Sequence, residues 1–268
     1  NKKISTCFYG FKNKLNLERD KKILKDLNIE RSEHIQKFVA SKLSKNFVVA
    51  IYDSNLGSEF GPRSLGGRSI LANPTNPKMK EILNKKIKLR EPFRPFAPIC
   101  LKDNVADFFE IKCESSFMLF ICETKKEKKH LIPSVVHEDD TARVQSVSEE
   151  NGNLYKILKE FNIITKVPIL INTSFNIGGE AIVNTVEDAI LSFKKMDIDY
   201  LVIDNYIISK KDKFIPNNMD TKKFIENRKS RFKEKNNFHS INISYYNSNF
   251  YNSFYSYLKR KIIENIIN

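Results

Sequence analysis

The residues best suited to chemistry in this sequence are cations set on stiff backbone. Between Glu59 and Pro98 the chain carries nine lysines and arginines against three acids. They are interleaved with Gly61, Gly66 and Gly67, which permit backbone geometry that other residues resist, and with Pro62, Pro92, Pro95 and Pro98, which fix φ. Cations held in place beforehand suit a polyanionic ligand, because little has to reorganise when the ligand arrives. A solvated basic surface with turns is the plain alternative. Arg94 lies within Pro92-Phe93-Arg94-Pro95-Phe96, where rings and prolines are expected to hold its guanidinium rigidly. Lys86, Lys88 and Arg90 alternate, and in an extended segment they would share one face. That costs energy unless an anion or water meets them, although an edge strand guarded by lysines has the same pattern.

Two other clusters carry polar side chains of the right type. His137 precedes Glu138, Asp139 and Asp140, and the nearest other histidine is His130. One histidine with nearby carboxylates is a weak metal pattern, so no metal ligands are assigned. Arg143 follows beside Val144, where a charge is costly unless paired. Further on, Asn172-Thr173-Ser174-Phe175-Asn176 leads into Gly178-Gly179 directly after an apolar run. Small polar side chains at the end of a buried strand commonly line a binding site, and an ordinary Asn/Ser/Gly turn has the same composition.

The elements that must position these groups follow from periodicity. Helices are expected over 17–27 and 32–44, then a buried strand over 47–52. A short strand over 69–72 and a helix from Asn76 or Pro77 to about Asn84 bracket the centre of the basic stretch. Strands are expected over 97–101, 117–123 and 142–146. The last third reads as helix 154–161, strand 167–171, a capped helix from Thr185 to about Lys195, and closing strands 200–203 and 206–209. The texture changes after Pro216. From Lys211 onward there are twelve basic and five acidic residues, and seven tyrosines and phenylalanines fall between Tyr245 and Tyr257.

A chain of 268 residues can bury a sizeable core. The formal net charge of +14 favours anionic partners: nucleotide, phosphate, nucleic acid or a membrane surface. Cys7, Cys100, Cys113 and Cys122 have no CxxC spacing, which argues against a zinc or redox pair. There is no apolar run near 18 residues and no signal-peptide pattern, so a soluble, cytoplasmic protein is expected.

Four blocks in order, EFGPRSLGGRSILANP, NKKIKLREPFRPFAP, VVHEDDTARVQSV and ILINTSFNIGGEAIVNTVEDAI, closely resemble the C-terminal domain of the O-carbamoyltransferases of antibiotic and nodulation-factor biosynthesis. The resemblance covers about residues 45–210. It implies an α/β fold, a YrdC/Sua5-like twisted mixed sheet with helices around a basic cavity, over residues 45–212. Residues 1–44 would be a helical lead-in from a separate N-terminal domain, and 213–268 a basic, aromatic-rich accessory segment. It implies ATP and Mg²⁺ as cofactors and carbamoyl phosphate as substrate, with carbamoyl-adenylate formed here. A Kae1-like N-terminal domain, which holds iron in that family, would transfer the carbamoyl group to a hydroxyl-bearing acceptor; neither a membrane nor nucleic acid is expected as a partner.

Carried over position by position, the resemblance assigns ligand contacts to Arg63, Lys88, Arg94, Arg143 and Ser174. Lys88 with Arg90 resembles a K-x-R element of the wider fold, and Ser174 with Asn176 an S-x-N element; Asn172 completes the binding set. Lys88, Arg94 and Arg143 are the expected catalytic residues. The family usually has Asn at the position of Gly67, Asp at Asn73, Gly at Asp140 and Arg at Gly178. Asp140 would add negative charge near the site. Two other readings stay open: a threonylcarbamoyl-adenylate synthase, which shares the fold and chemistry, and a non-catalytic RNA-binding module.

Overall fold

Ile169, Leu170 and Ile171 are wholly buried in the middle of an eight-stranded sheet, as their unbroken apolar run requires of a strand covered on both faces. The computed structural model describes residues 6–211. In chain order these form α1 (Lys21–Leu24), β1 (Leu27–Arg31), α2 (Ile35–Ser44), β2 (Val49–Tyr52) and β3 (Arg68–Ala72). Next come α3 (Met79–Ile82), which runs into a π-helical turn (Leu83–Lys88), then β4 (Ala97–Leu101), α4 (Val105–Phe108) and β5 (Phe109–Glu110). The rest is β6 (Cys122–Thr124), β7 (Thr141–Ala142), β8 (Gln145–Val147), α5 (Asn153–Thr165), β9 (Ile169–Ser174), α6 (Val186–Lys195), β10 (Tyr200–Ile203) and β11 (Tyr206–Lys210).

The large sheet has the order β1-β11-β10-β2-β3-β9-β4-β8, and β5-β6-β7 form a small second one. The large sheet is mixed: β10 runs parallel to β2 and β4 to β8, while its other pairs are antiparallel. This is the α/β class expected. Helices α2 and α5 cover one face, where Val39 and Leu43 meet Ile157, Leu158 and Phe161 over Val49, Ile51, Leu71 and Leu170. Alternation sends Ala50 and Tyr52 to the other face. There the Tyr52 hydroxyl donates to the Asn184 carbonyl, 3.0 Å away and just ahead of α6. A capping box between Thr185 and Asp188 starts α6 where the sequence places it.

Four expectations fail, each for a physical reason. The helix over 17–27 is only α1, because Leu27 to Arg31 extend against Tyr206 to Lys210 as the edge strand. The lead-in over 1–44 is therefore not wholly helical. The strand over 117–123 is confined to Cys122–Thr124: Met118 takes φ 54°, and Leu119, Phe120 and Ile121 are exposed. The strand over 142–146 is two strands in different sheets, β7 and β8. The extended segment carrying Lys86, Lys88 and Arg90 is instead the π-helical turn, which buries Lys88 and leaves Lys86 exposed.

The chain divides into a unit of residues 1–214 and another of 215–268. The accessory segment expected over 213–268 lies outside the described residues, within which no helix is long and apolar enough to cross a membrane.

Candidate functional site

Strand register brings the polar clusters to one end of the large sheet. Ser69 pairs with Ser174, Ala97 with Asn172, and Ile99 with Gln145. The loop entering β3, the loop entering β4, the residue entering β8 and the exit from β9 therefore share that end.

Lys88 ends the π-helical turn with 2% of its surface exposed. Its Nζ donates to the Ser174 carbonyl, to the Asn176 carbonyl at 3.0 Å and to Asn176 Oδ1 at 2.8 Å. Ser174 Oγ donates to the same Asn176 oxygen at 2.6 Å, and the Gly178 N–H donates to the Lys88 carbonyl at 3.1 Å. The K-x-R and S-x-N elements thus meet across 86 residues of sequence. Burial, and then the Arg90 charge, push the Lys88 ammonium well below the ordinary lysine range.

The loop that follows is organised by Asn84, a wholly buried residue that sequence reasoning passed over. Its Nδ2 donates to the carbonyls of Pro92 at 3.0 Å and Arg94 at 2.9 Å. Its Oδ1 accepts from Arg90 Nε at 2.6 Å. That seats the Arg90 guanidinium over the Phe96 ring, 4.6 Å from its centroid. A polar residue closing an apolar helix pattern reads as a helix end, so nothing in the sequence marked its inward role. Leu89 takes φ 47° where the chain leaves the turn. Arg94 is not locked by its flanking rings. It pairs with Glu91 at 2.9 Å, its side chain is 48% exposed, and Phe93 points to solvent.

Arg143 occupies the two-residue break between β7 and β8. Its Nε is buried without a hydrogen-bond partner. Burial first, and then the Arg63 charge, lower its pKa. His137 is near Arg143; burial lowers its pKa first, Asp139 opposes this, and Arg143 and Lys80 add to it. Two of the three acids of this loop, Asp139 and Asp140, are already engaged. Asp139 Oδ1 accepts from the Thr141 hydroxyl at 2.7 Å and N–H at 3.1 Å, and Asp140 pairs with Lys129 at 2.5 Å. Asp140 takes φ 66°, a left-handed geometry that favours glycine.

Asn172 is a support rather than a surface group. At 2% exposure, it donates to the Ser64 carbonyl at 3.0 Å and to Gln145 Oε1 at 3.3 Å, and Gln145 Nε2 donates to the Leu65 carbonyl at 3.3 Å. These amides pin the loop entering β3 to β8 and β9. Arg68, counted with the basic stretch, is a core residue. Wholly buried, it donates to the carbonyls of Asp53 and Gly67 and stacks over Tyr52, 3.7 Å from the ring centroid. A cavity of about 250 Å³, lined by Asp53, Leu65, Glu114 and Asn153 among others, includes none of the assigned site residues.

With this geometry in hand, the family can be settled: the model of the Carbamoyltransferase C-terminus matches residues 40–210. The chain belongs to the carbamoyltransferase C-terminal family. Among its relatives, the uncharacterized protein sll1178 of Synechocystis is 38% identical over 193 residues, which is 64% of this chain and 31% of that one. The nodulation protein NolNO of Sinorhizobium fredii is 39% identical over 189 residues, 69% of this chain and 28% of that one. This chain thus spans about a third of the length of the curated relatives it matches. Among solved structures, full-length HypF in its phosphate- and nucleotide-bound form has a TM-score of 0.45 and 20% identity, covering 66% of this chain and 24% of that one. Within the family match, Lys88, Arg90, Ser174 and Asn176 are one constellation and Arg63 with Arg143 a second, while Arg94 stands on the exposed loop between the π-helical turn and β4.

Proposed function

We propose that this carbamoyltransferase domain binds ATP and carbamoyl phosphate and forms carbamoyl-adenylate. The observation that carries the reading is the buried, unpartnered Nε of Arg143 beside the Arg63 charge. A buried guanidinium with an unused donor is a costly arrangement without an anion, and a guanidinium fork matches phosphate oxygens. Carbamoyl phosphate and water first give carbamate and inorganic phosphate. A carbamate oxygen then attacks the α-phosphorus of ATP, the bond to the β-phosphate oxygen breaks, and pyrophosphate leaves. No enzyme nucleophile is needed; the residues position two anions and neutralise the leaving group. Arg63, Arg143 and Lys88 hold phosphate oxygens, and Ser174 fixes the rim against which the carbamoyl end lies. Mg²⁺, when bound, would supply further neutralisation of the leaving pyrophosphate; Asp139 and Asp140 already have partners and are not assigned to hold it. Transfer to a hydroxyl acceptor then falls to a separate Kae1-like domain.

Pyrophosphate release measured with the purified chain, Mg²⁺ and ATP tests this. Release should require carbamoyl phosphate and should drop at least tenfold in Arg143→Ala. Bicarbonate with threonine should not replace carbamoyl phosphate; if it does, the threonylcarbamoyl-adenylate reading is correct instead. A folded chain that binds no ATP analogue by calorimetry overturns the proposal.

A further inference from the structure

The geometry points to Glu59 as a positioning residue: a resident carboxylate, seated in a nest of backbone N–H groups, that shapes loop 59–68 and holds Arg63 beside Arg143. This rests on the nucleotide-binding reading for its effect on affinity, but its structural basis is independent. Glu59 Oε1 accepts from the N–H groups of Leu65 at 3.1 Å, Gly67 at 2.8 Å and Arg68 at 3.1 Å. The Ser64 hydroxyl lies 3.3 Å from the same oxygen. Converging backbone N–H groups form an anion-binding concavity. Here the anion comes from the same chain, six to nine residues upstream of its donors.

The loop is built around that contact. Gly66 takes φ 116°, and a Cβ there would lie 2.7 Å from Leu154 Cδ2. A Cβ on Gly67 would lie 3.0 Å from Glu59 Oε1 and 3.0 Å from Phe8 Cε1, so glycine leaves the carboxylate its room. The returning limb is pinned to the sheet through the Ser64 and Leu65 carbonyls. The outgoing limb carries exposed Arg63. It is tied by the Phe60 N–H to the Cys7 carbonyl at 2.7 Å and by the Glu59 carboxylate. Removing the carboxylate leaves three N–H groups without their acceptor and loosens, at its Glu59 end, the limb that presents Arg63, while Ser64 on the other side of Arg63 stays bonded to the Arg68 carbonyl and to Ser69 Oγ. Glu59 touches no part of the ligand; it acts through Arg63.

A double-mutant cycle tests this, with affinity for a non-hydrolysable ATP analogue measured by calorimetry at constant ionic strength. Glu59→Ala should weaken binding roughly tenfold in the wild-type background and less than about twofold in Arg63→Ala. Added formate should restore part of the affinity to Glu59→Ala, against a chloride control, by refilling the nest. Equal losses in both backgrounds, or no loss in a folded variant, overturn the proposal. If Glu59→Ala does not fold, Glu59→Gln, which keeps the shape and loses the charge, is carried through the same cycle. If the wild-type chain binds no analogue, the functional reading fails first and Glu59 is judged on the loop alone. Amide hydrogen exchange at Leu65, Gly67 and Arg68 should then quicken in the folded Glu59 variant, and unchanged exchange there refutes the role.

Discussion

Lys88 is the residue at which burial and charge conflict most directly. Burial and Arg90 push its pKa well down, whereas an approaching phosphate favours the ammonium and pulls it back up. Nucleotide binding should therefore take up protons, and affinity should fall as pH rises through the range in which Lys88 of the free protein loses its proton. Calorimetry in buffers of different ionisation enthalpy measures that uptake. Lys88→Arg, which keeps its charge, should abolish it. Proton release on binding, or the same uptake in both proteins, would sink the idea. Arg94 differs at this scale. Its pair with Glu91 is half exposed, and such pairs contribute about 0–1 kcal/mol. Arg94→Ala should therefore leave the unfolding free energy within about 1 kcal/mol of wild type, and any effect it has will be on ligand affinity.

The π-helical turn and its loop are the element on which much of the site depends, and Asn84 holds the two together. Asn84→Ala removes three hydrogen bonds and leaves the Pro92 and Arg94 carbonyls without their donor. An unsatisfied buried group costs about 1–3 kcal/mol, so urea unfolding should report a loss of roughly 2–4 kcal/mol. Analogue affinity should fall as well, because Arg90 loses its seat over Phe96. A variant with wild-type stability would show that the loop holds itself. Little of this element was legible in the sequence. KKIKLR has the alternation of an extended segment, and only the fold reveals a turn that buries Lys88 and exposes Lys86. The central strand was legible, because burial on both faces leaves an unbroken apolar run. The same logic misread Phe117 to Ile121, whose apolar side chains are turned outward after Met118. Lys88, Ser174 and Asn176 were each singled out in the sequence, but their meeting depends on β-sheet register, which no local pattern encodes. The contact of Glu59 with Gly67 left no sequence signal beyond the glycine itself.

At the scale of the whole molecule, the β1–β11 edge contains a charge that the fold penalises. Burial pushes Lys210 from 10.5 down to about 8, against the pull of Asp197 and Asp199. The unfolded chain therefore binds more protons between those values, and this group makes stability rise with pH from about 8 to 10.5. Cys7 and Cys122, raised by burial from 9.0 to about 11, act in the opposite sense at the upper end. The test is the stability of wild type relative to Lys210→Met, by urea unfolding across that range. The difference should shift in favour of wild type as pH rises, and a flat difference would show that Lys210 titrates normally. The same edge has a consequence in time. Arg31 pairs with Tyr206 and Leu27 with Lys210, so β1 waits for a partner made about 180 residues later. At roughly 5–20 residues per second, β1 leaves the ribosome about 10–35 s before β11. Throughout that interval its hydrogen-bonding edge is open to any other strand, including the β1 of a neighbouring chain on the same messenger.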